Sequence, residues 1–264
     1  MHNTGSLYQQ FRAFLAAPSL LKKTDFELFE LQKTPENLPL NSEAPRGVFG
    51  KRMEFFFSRY IQSSSRYHLL GENVQIIKNG ITLGELDFLI EDRQNGRKLH
   101  VEMACKFYLF EPQQGKSLWI GPNYKDRLHL KLKKLRERQF PLLFAKETRD
   151  FLPFPAHQFE QQLHLSGLLF TPWNQSPPSS ELINPGAIAG QWLRAEQFKA
   201  KLKDHRFTIP QKENWLQPPD SATHWEDFKT TWAKVEGLLE RQYSSLLWAQ
   251  DASGNYQRFF IVWW

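Results

Sequence analysis

Cysteine is almost missing from this chain: Cys105 is the single one in 264 residues. No intramolecular disulfide can form, which matches a reducing compartment, so a cytoplasmic location is expected. Long apolar runs are missing as well. Hydrophobic residues make up 41% of the chain, but Arg12, Pro18 and charged residues interrupt each run before the ~20 residues that a membrane span needs. No membrane partner is expected. The start, Met1-His2-Asn3-Thr4-Gly5, has no basic stretch followed by an apolar one, so no signal peptide is expected. The eight histidines include no pair at metal-binding helical spacing. His100, His129, His157 and His164 are scattered, which argues against a zinc site. Gly115-Lys116-Ser117 lacks the upstream glycine of a phosphate-cradling loop, so ATP dependence has no support. Internal repeats and low-complexity tracts are also lacking.

What remains is the composition of a folded protein, long enough for one large domain or a domain with an appended module. The net charge of +6 is concentrated: seven basic and two acidic residues stand between Lys125 and Arg138. Leu128, Leu132 and Leu135 recur at helical spacing and predict a helix with one buried face. Arg127, Lys131, Lys134 and Arg138 form a basic stripe beside those leucines. An ordered basic ridge suits a polyanion, although a solvated helix face is the simpler reading of a charge run taken alone.

Three regions follow along the chain. Residues 1–48 read as an N-terminal helical arm, with Leu7, Phe11, Phe14 and Leu15 on one face, then a loop through residues 33–37 and 44–47. Residues 49–172 read as a core in the order αβββαβ. Its first helix carries Met53, Phe56, Phe57, Tyr60 and Ile61 as a buried stripe. Strands are expected near residues 74–78, 82–91 and 98–110, separated by the turn signals Asn79-Gly80 and Asn95-Gly96. The basic helix and a strand over residues 162–171 complete the set. Residues 173–264 form a Trp- and Pro-rich α+β extension. There, Asn184-Pro185 is expected to open a helix running past Trp192 and Phe198, Thr223-His224-Trp225-Glu226 resembles a capping box, and residues 246–264 read as a hairpin. The tryptophans of this region are expected to be packing residues, with carbohydrate stacking the lesser alternative.

Alternation along strands places Val101, Met103, Cys105 and Phe107 on one face, and Glu102, Ala104 and Lys106 on the other. Leu86, Phe88 and Ile90 likewise oppose Glu85 and Asp87. Hairpin pairing through the turn at residues 92–98 brings Asp87 close to Glu102. Two adjacent carboxylates repel unless a cation or a shared proton intervenes, and Mg²⁺ accepts such oxygens, with water and phosphate completing its shell. An ordinary hairpin with a solvated charged face is the bland alternative. Cys105, in the apolar set, reads as a packed residue rather than a nucleophile.

The helix-borne Glu54, the strand motif Gly84-Glu85-Leu86-Asp87-Phe88 and the later Glu102 with a following lysine resemble the PD-(D/E)XK, or restriction-endonuclease-like, nuclease superfamily. The αβββαβ order resembles that superfamily's core, so the resemblance implies an α/β fold with a mixed sheet over roughly residues 50–172. Glu102-Met103-Ala104-Cys105-Lys106-Phe107-Tyr108, Trp119-Ile120-Gly121-Pro122-Asn123 and Asp126-Arg127-Leu128 look more closely like an uncharacterised bacterial domain family within it. That closer likeness extends over most of the chain.

The resemblance implies a metal-dependent nuclease. Asp87 and Glu102, with the backbone carbonyl of Met103, would bind Mg²⁺ or Mn²⁺. Glu54 would orient a metal-bound water or help hold a second ion, and Lys106 would stabilise the attacking hydroxide or the charge on phosphorus. Arg127, Lys131, Lys134 and Arg138 would grip a nucleic acid, DNA first among candidates, without reading its sequence. One departure stands out: the superfamily lysine belongs two residues after the glutamate, where this chain has Ala104. Lys106 is on the same strand face about 7 Å further along, at roughly 3.3 Å per residue. A catalytically weakened nuclease fold that binds nucleic acid or a protein partner is therefore the alternative function, and a carboxylate-pair glycoside hydrolase the remaining one. The oligomeric state is left open, a homodimer being one option.

Overall fold

The computed structural model describes residues 4–32, 44–113, 116–177 and 179–264. The loop expected through residues 33–37 lies outside them. The elements run α1 (Thr4–Leu15), β1 (Glu27–Leu28), α2 (Phe49–Ser63), β2 (Tyr67–Lys78), β3 (Ile81–Asp92), β4 (Arg97–Gln113), β5 (Lys116–Ile120), α3 (Leu128–Lys134), α4 (Phe140–Leu142), β6 (Phe159–Pro172), β7 (Ile188–Arg194), α5 (Ala195–Lys201), β8 (Arg206–Thr208), α6 (Phe228–Glu240), β9 (Ser245–Gln250) and β10 (Tyr256–Val262). The fold is α/β, with parallel and antiparallel pairings. No helix among the described residues is long and apolar enough to cross a membrane.

Two compact units divide the chain, one drawn from Met1–Cys105 and Leu130–Ser166, the other from Lys106–His129 and Gly167–Trp264. In the first, β2, β3, β4 and β6 are neighbours in that order, and β1 adds to β6 in parallel. Asn79 and Gly80 both have positive φ, 50° and 77°. That is the two-residue turn whose twist suits a hairpin, and it joins β2 to β3. The stripe read from sequence on α2 is buried: Met53, Phe56, Phe57, Tyr60 and Ile61 are each at most 2% exposed. It meets the sheet through Phe57, whose ring lies 4.6 Å from that of Phe88. The N-terminal helix packs on α2, with Phe11 edge-on to Phe56 at 5.4 Å and Gln10 accepting from Arg52.

In the second unit, the end of β6 from Leu169 to Pro172 pairs with β7, and β10, β9 and β8 follow in order. Leu193, Phe198, Phe207, Val235, Leu247 and Phe259 form its core. Trp192 is buried there and donates to the Phe110 carbonyl at 2.9 Å, a packing role for a tryptophan.

Two local expectations give way. The helix read from Asn184 past Phe198 is a single 3-10 turn at Pro185–Ala187, then β7, and only then the short α5. Parallel pairing of residues 191–194 with 259–262 overrides the helical spacing. Gly190 makes that approach possible, since a Cβ there would sit 2.1 Å from the Arg258 carbonyl oxygen. Helix α6 is capped by Asp227, whose carboxylate accepts from Thr230 N at 2.7 Å, rather than by Thr223, because Glu226 is held by backbone hydrogen bonds to Phe207.

Gly167 marks the tightest point of the second unit. Its φ is +139°, and a Cβ would fall 1.8 Å from the Lys106 carbonyl oxygen. Backbone on both sides leaves nothing flexible to yield. Gly167→Ala is expected to destabilise the protein by more than about 4 kcal/mol, read as the midpoint of urea unfolding; an unchanged midpoint would refute this close approach.

Candidate functional site

The pairing of β3 with β4 ends at Phe88 opposite Val101. The next residues, Asp87 and Glu102, therefore leave the ladder side by side. Asp87 turns into the fork, where its Oδ2 accepts the Met103 N–H at 2.9 Å, a main-chain donor that the ladder would otherwise use. On the other flank, the pairs Glu72–Phe88 and Val74–Leu86 bracket Asn73, whose φ is +51°. Asparagine tolerates this left-handed conformation better than most residues. Strict alternation of β3 fails at this point. Leu86 packs in one cluster with Leu89, Ile76 and Leu143, while Phe88 packs on Phe57 of α2.

Glu102 is fully buried. Its Oε1 lies 3.1 Å from His100 Nε2, and its Oε2 accepts a hydrogen bond from Gln139 Nε2. Gln161 Nε2 lies 3.1 Å from His100 Nδ1 and also donates to the Phe140 carbonyl. An amide N–H can only donate, so His100 Nδ1 accepts and its Nε2–H points at Glu102. Burial pushes the His100 pKa down to about 4. A neutral imidazole thus serves as donor to the carboxylate.

Both acids are hard to ionise. Burial, then the negative charge of Glu102, pushes Asp87 up to about 7, against the pull of the Met103 N–H. Burial raises Glu102 to about 7 too, while Lys131, a hydrogen bond with Asp87 and Lys134 pull it back. Such a pair titrates as a unit.

The third acid stands apart in its bonding. Glu54 on α2 accepts from Lys51 Nζ at 2.6 Å, and the same ammonium reaches Asn73 Oδ1 at 3.3 Å and Glu85 at 3.7 Å. Burial raises the Glu54 pKa, with Lys51 opposing and Asp87 and Glu85 adding to the rise. Lys51 therefore already supplies a cation to Glu54. Lys106 belongs to the second unit, where its Nζ is bound to Asp126 at 2.8 Å.

The basic stripe is broken up. Helix α3 gives way at Leu135–Gln139 to a π-helical turn, in which the Phe140 N–H bonds to the Leu135 carbonyl. Arg127 precedes α3, with its guanidinium over the Tyr124 ring. Lys134 and Arg138 are exposed. Lys131 is half-buried and donates to Gln139 Oε1 at 3.0 Å. Arg136 is committed to Asp25 through paired bonds of 2.7–2.9 Å.

A hard divalent ion fits Asp87 and Glu102. Each carboxylate oxygen has two lone pairs, so the hydrogen bonds described leave acceptor capacity for a ligand. A cation would also offset the burial that raises both pKa values and the Glu102 charge that adds to the rise at Asp87, and Mg²⁺ takes one or two carboxylates with water and phosphate completing the shell. Among the described residues no three His, Cys, Asp or Glu side chains gather around one metal position, so the fit is to a two-carboxylate site. Sequence reading missed His100, Gln139, Gln161 and Lys51. His100, two residues from Glu102, was the accessible signal, since i and i+2 share a strand face.

The raised acids fix the sign of a pH effect. A carboxyl that keeps its proton to about pH 7 when folded but loses it near 4 when unfolded makes folding less favourable as pH rises between those values. Asp87→Asn is expected to gain on the wild type across that window by roughly 2–4 kcal/mol. Mn²⁺ should raise the wild-type melting temperature at pH 7.5 and not at pH 5. Parallel pH profiles for the two proteins would contradict the buried-pair reading.

No curated protein and no solved structure is similar to the chain. One family model, described as a domain of unknown function (DUF1853), matches residues 6–262, nearly the full length. The chain belongs to the DUF1853 family.

Proposed function

We propose that this chain is a metal-dependent nuclease of the PD-(D/E)XK, restriction-endonuclease-like kind, hydrolysing nucleic-acid phosphodiesters, those of DNA first, in the cytoplasm. The observation that carries the reading is the buried Asp87–Glu102 pair at the end of the β3–β4 ladder, with both acids raised to about 7. Structural carboxylates are normally paired with cations or left in water; a desolvated pair facing one another is the electrostatic signature of a functional site.

Asp87 and Glu102 would hold Mg²⁺ or Mn²⁺, which when bound supplies Lewis-acid activation of water and neutralisation of phosphate. The Met103 N–H fixes the Asp87 carboxylate, and His100 with Gln139 fixes that of Glu102, so the ligands are aimed in advance. Glu54, tied to Lys51, is close enough in charge to influence Asp87 and would orient an incoming water. Lys134, at the end of α3, and Arg138, in the π turn after it, are exposed and would meet the nucleic-acid backbone. A second reading, nucleic-acid binding without cleavage, draws on Ala104 at the superfamily's lysine position and on Lys106 being held by Asp126.

The two separate in solution. Full-length protein incubated with linear, supercoiled and branched DNA, and with RNA, in Mg²⁺ or Mn²⁺ is expected to cleave at least one substrate. Asp87→Ala and Glu102→Gln should each reduce the rate by more than about 10²-fold. No cleavage by the wild type with either ion would leave the binding reading. Binding measured in EDTA should weaken as salt rises, with Lys134→Ala reducing the logarithmic slope by about one; a salt-independent affinity would remove nucleic acid as the ligand.

A further inference from the structure

Two of the ammonium groups described so far are committed to other acids, Lys51 to Glu54 and Lys106 to Asp126. Phosphodiester hydrolysis builds negative charge on phosphorus-bound oxygens, and a fixed cation beside the carboxylates lowers that barrier. The cation whose bonds lead to Glu102 is Lys131. Its Nζ donates to Gln139 Oε1 at 3.0 Å, and the other end of the same amide, Nε2, donates to Glu102 Oε2. The amide orientation is fixed by chemistry, since an ammonium needs an acceptor and a carboxylate a donor.

The backbone explains how residues 131 and 139 come to share one side. Two α-helical turns advance about seven residues, whereas one α turn and one i→i+5 turn advance about eight. The π turn at Leu135–Gln139 therefore brings Gln139 back in line with Lys131. In an uninterrupted α-helix the two side chains would diverge. Such wide turns recur at functional sites, where they re-aim a side chain. The positive charge of Lys131 is also the leading cation acting on Glu102, and it acts on Asp87 as well.

We propose that Lys131 is the ammonium of the Asp87–Glu102 centre, facing the nonbridging oxygens of a bound phosphodiester, with Gln139 as the positioning residue that ties it to Glu102. The inference rests on the nuclease reading for its substrate. Its geometry, a cation held beside the two carboxylates, is tested without turnover.

The test uses full-length Lys131→Gln, Lys131→Arg, Gln139→Leu and, as a control for loss of surface charge, Lys133→Ala. Mn²⁺ binding is followed by electron paramagnetic resonance at low salt, and cleavage is measured in parallel. Removing a cation that competes with the metal should tighten Mn²⁺ binding several-fold in Lys131→Gln; Lys131→Arg and Lys133→Ala should stay near wild type. Cleavage should fall by roughly 10²-fold or more in Lys131→Gln, with kcat affected more than KM and partial recovery in Lys131→Arg. Gln139→Leu should lower kcat less than Lys131→Gln does. Unchanged or weakened Mn²⁺ binding in Lys131→Gln overturns the inference whether or not the protein cleaves. Wild-type cleavage that survives Lys131→Gln but not Lys106→Ala overturns it while leaving the nuclease reading standing. A wild type that binds Mn²⁺, and binds it more tightly as Lys131→Gln, yet cleaves nothing, supports the placement of the ammonium and sinks only the nuclease reading.

Discussion

The end of one ladder shapes the candidate site of this protein. Strands β3 and β4 stay paired to Phe88 and Val101 and then separate. The freed Met103 N–H must find an acceptor, and the Asp87 carboxylate takes it. That single bond holds a carboxylate inside the fork beside buried Glu102, an arrangement that solvent would otherwise dissolve. Burial leaves the pair reluctant to ionise even though the Lys131 charge acts on both acids, and the other features of the site respond to that condition.

The response is layered. His100, kept neutral by burial and oriented by Gln161, gives Glu102 an N–H. Gln139 gives another and faces Lys131 with its carbonyl. The π turn that aims Gln139 interrupts the regular basic stripe, so the helix surrenders part of an even surface ridge in exchange for one side chain directed inward. Lys51, Glu54 and Glu85 form a separate charge group on the α2 side, where Lys51 opposes the burial that raises the Glu54 pKa.

Legibility in the sequence followed the range of the interactions. The stripe of α2, the Asn79-Gly80 turn, the strand over residues 159–172 and the closing hairpin depend on periodicity and turn chemistry, which neighbouring residues carry. The turn at residues 92–98 sets Asp87 and Glu102 nearly opposite one another, and the observed register places them just beyond its last pair. The failures had the opposite character. Residues 188–194 looked helical because their partner strand, β10, lies more than sixty residues away, and Asp227 capped α6 because a distant strand had claimed Glu226.

By itself, then, the sequence determined the α/β class, the helix and hairpin strands that carry the acids, and the charge that accumulates near Lys125–Arg138, since all of these are set by local periodicity or composition. Tertiary structure alone decided which cation serves which acid. Lysine side chains are long and flexible, and the contacts they make are settled by what burial brings within reach: Asp126 for Lys106, Glu54 for Lys51 and, through one wide helical turn, Gln139 for Lys131.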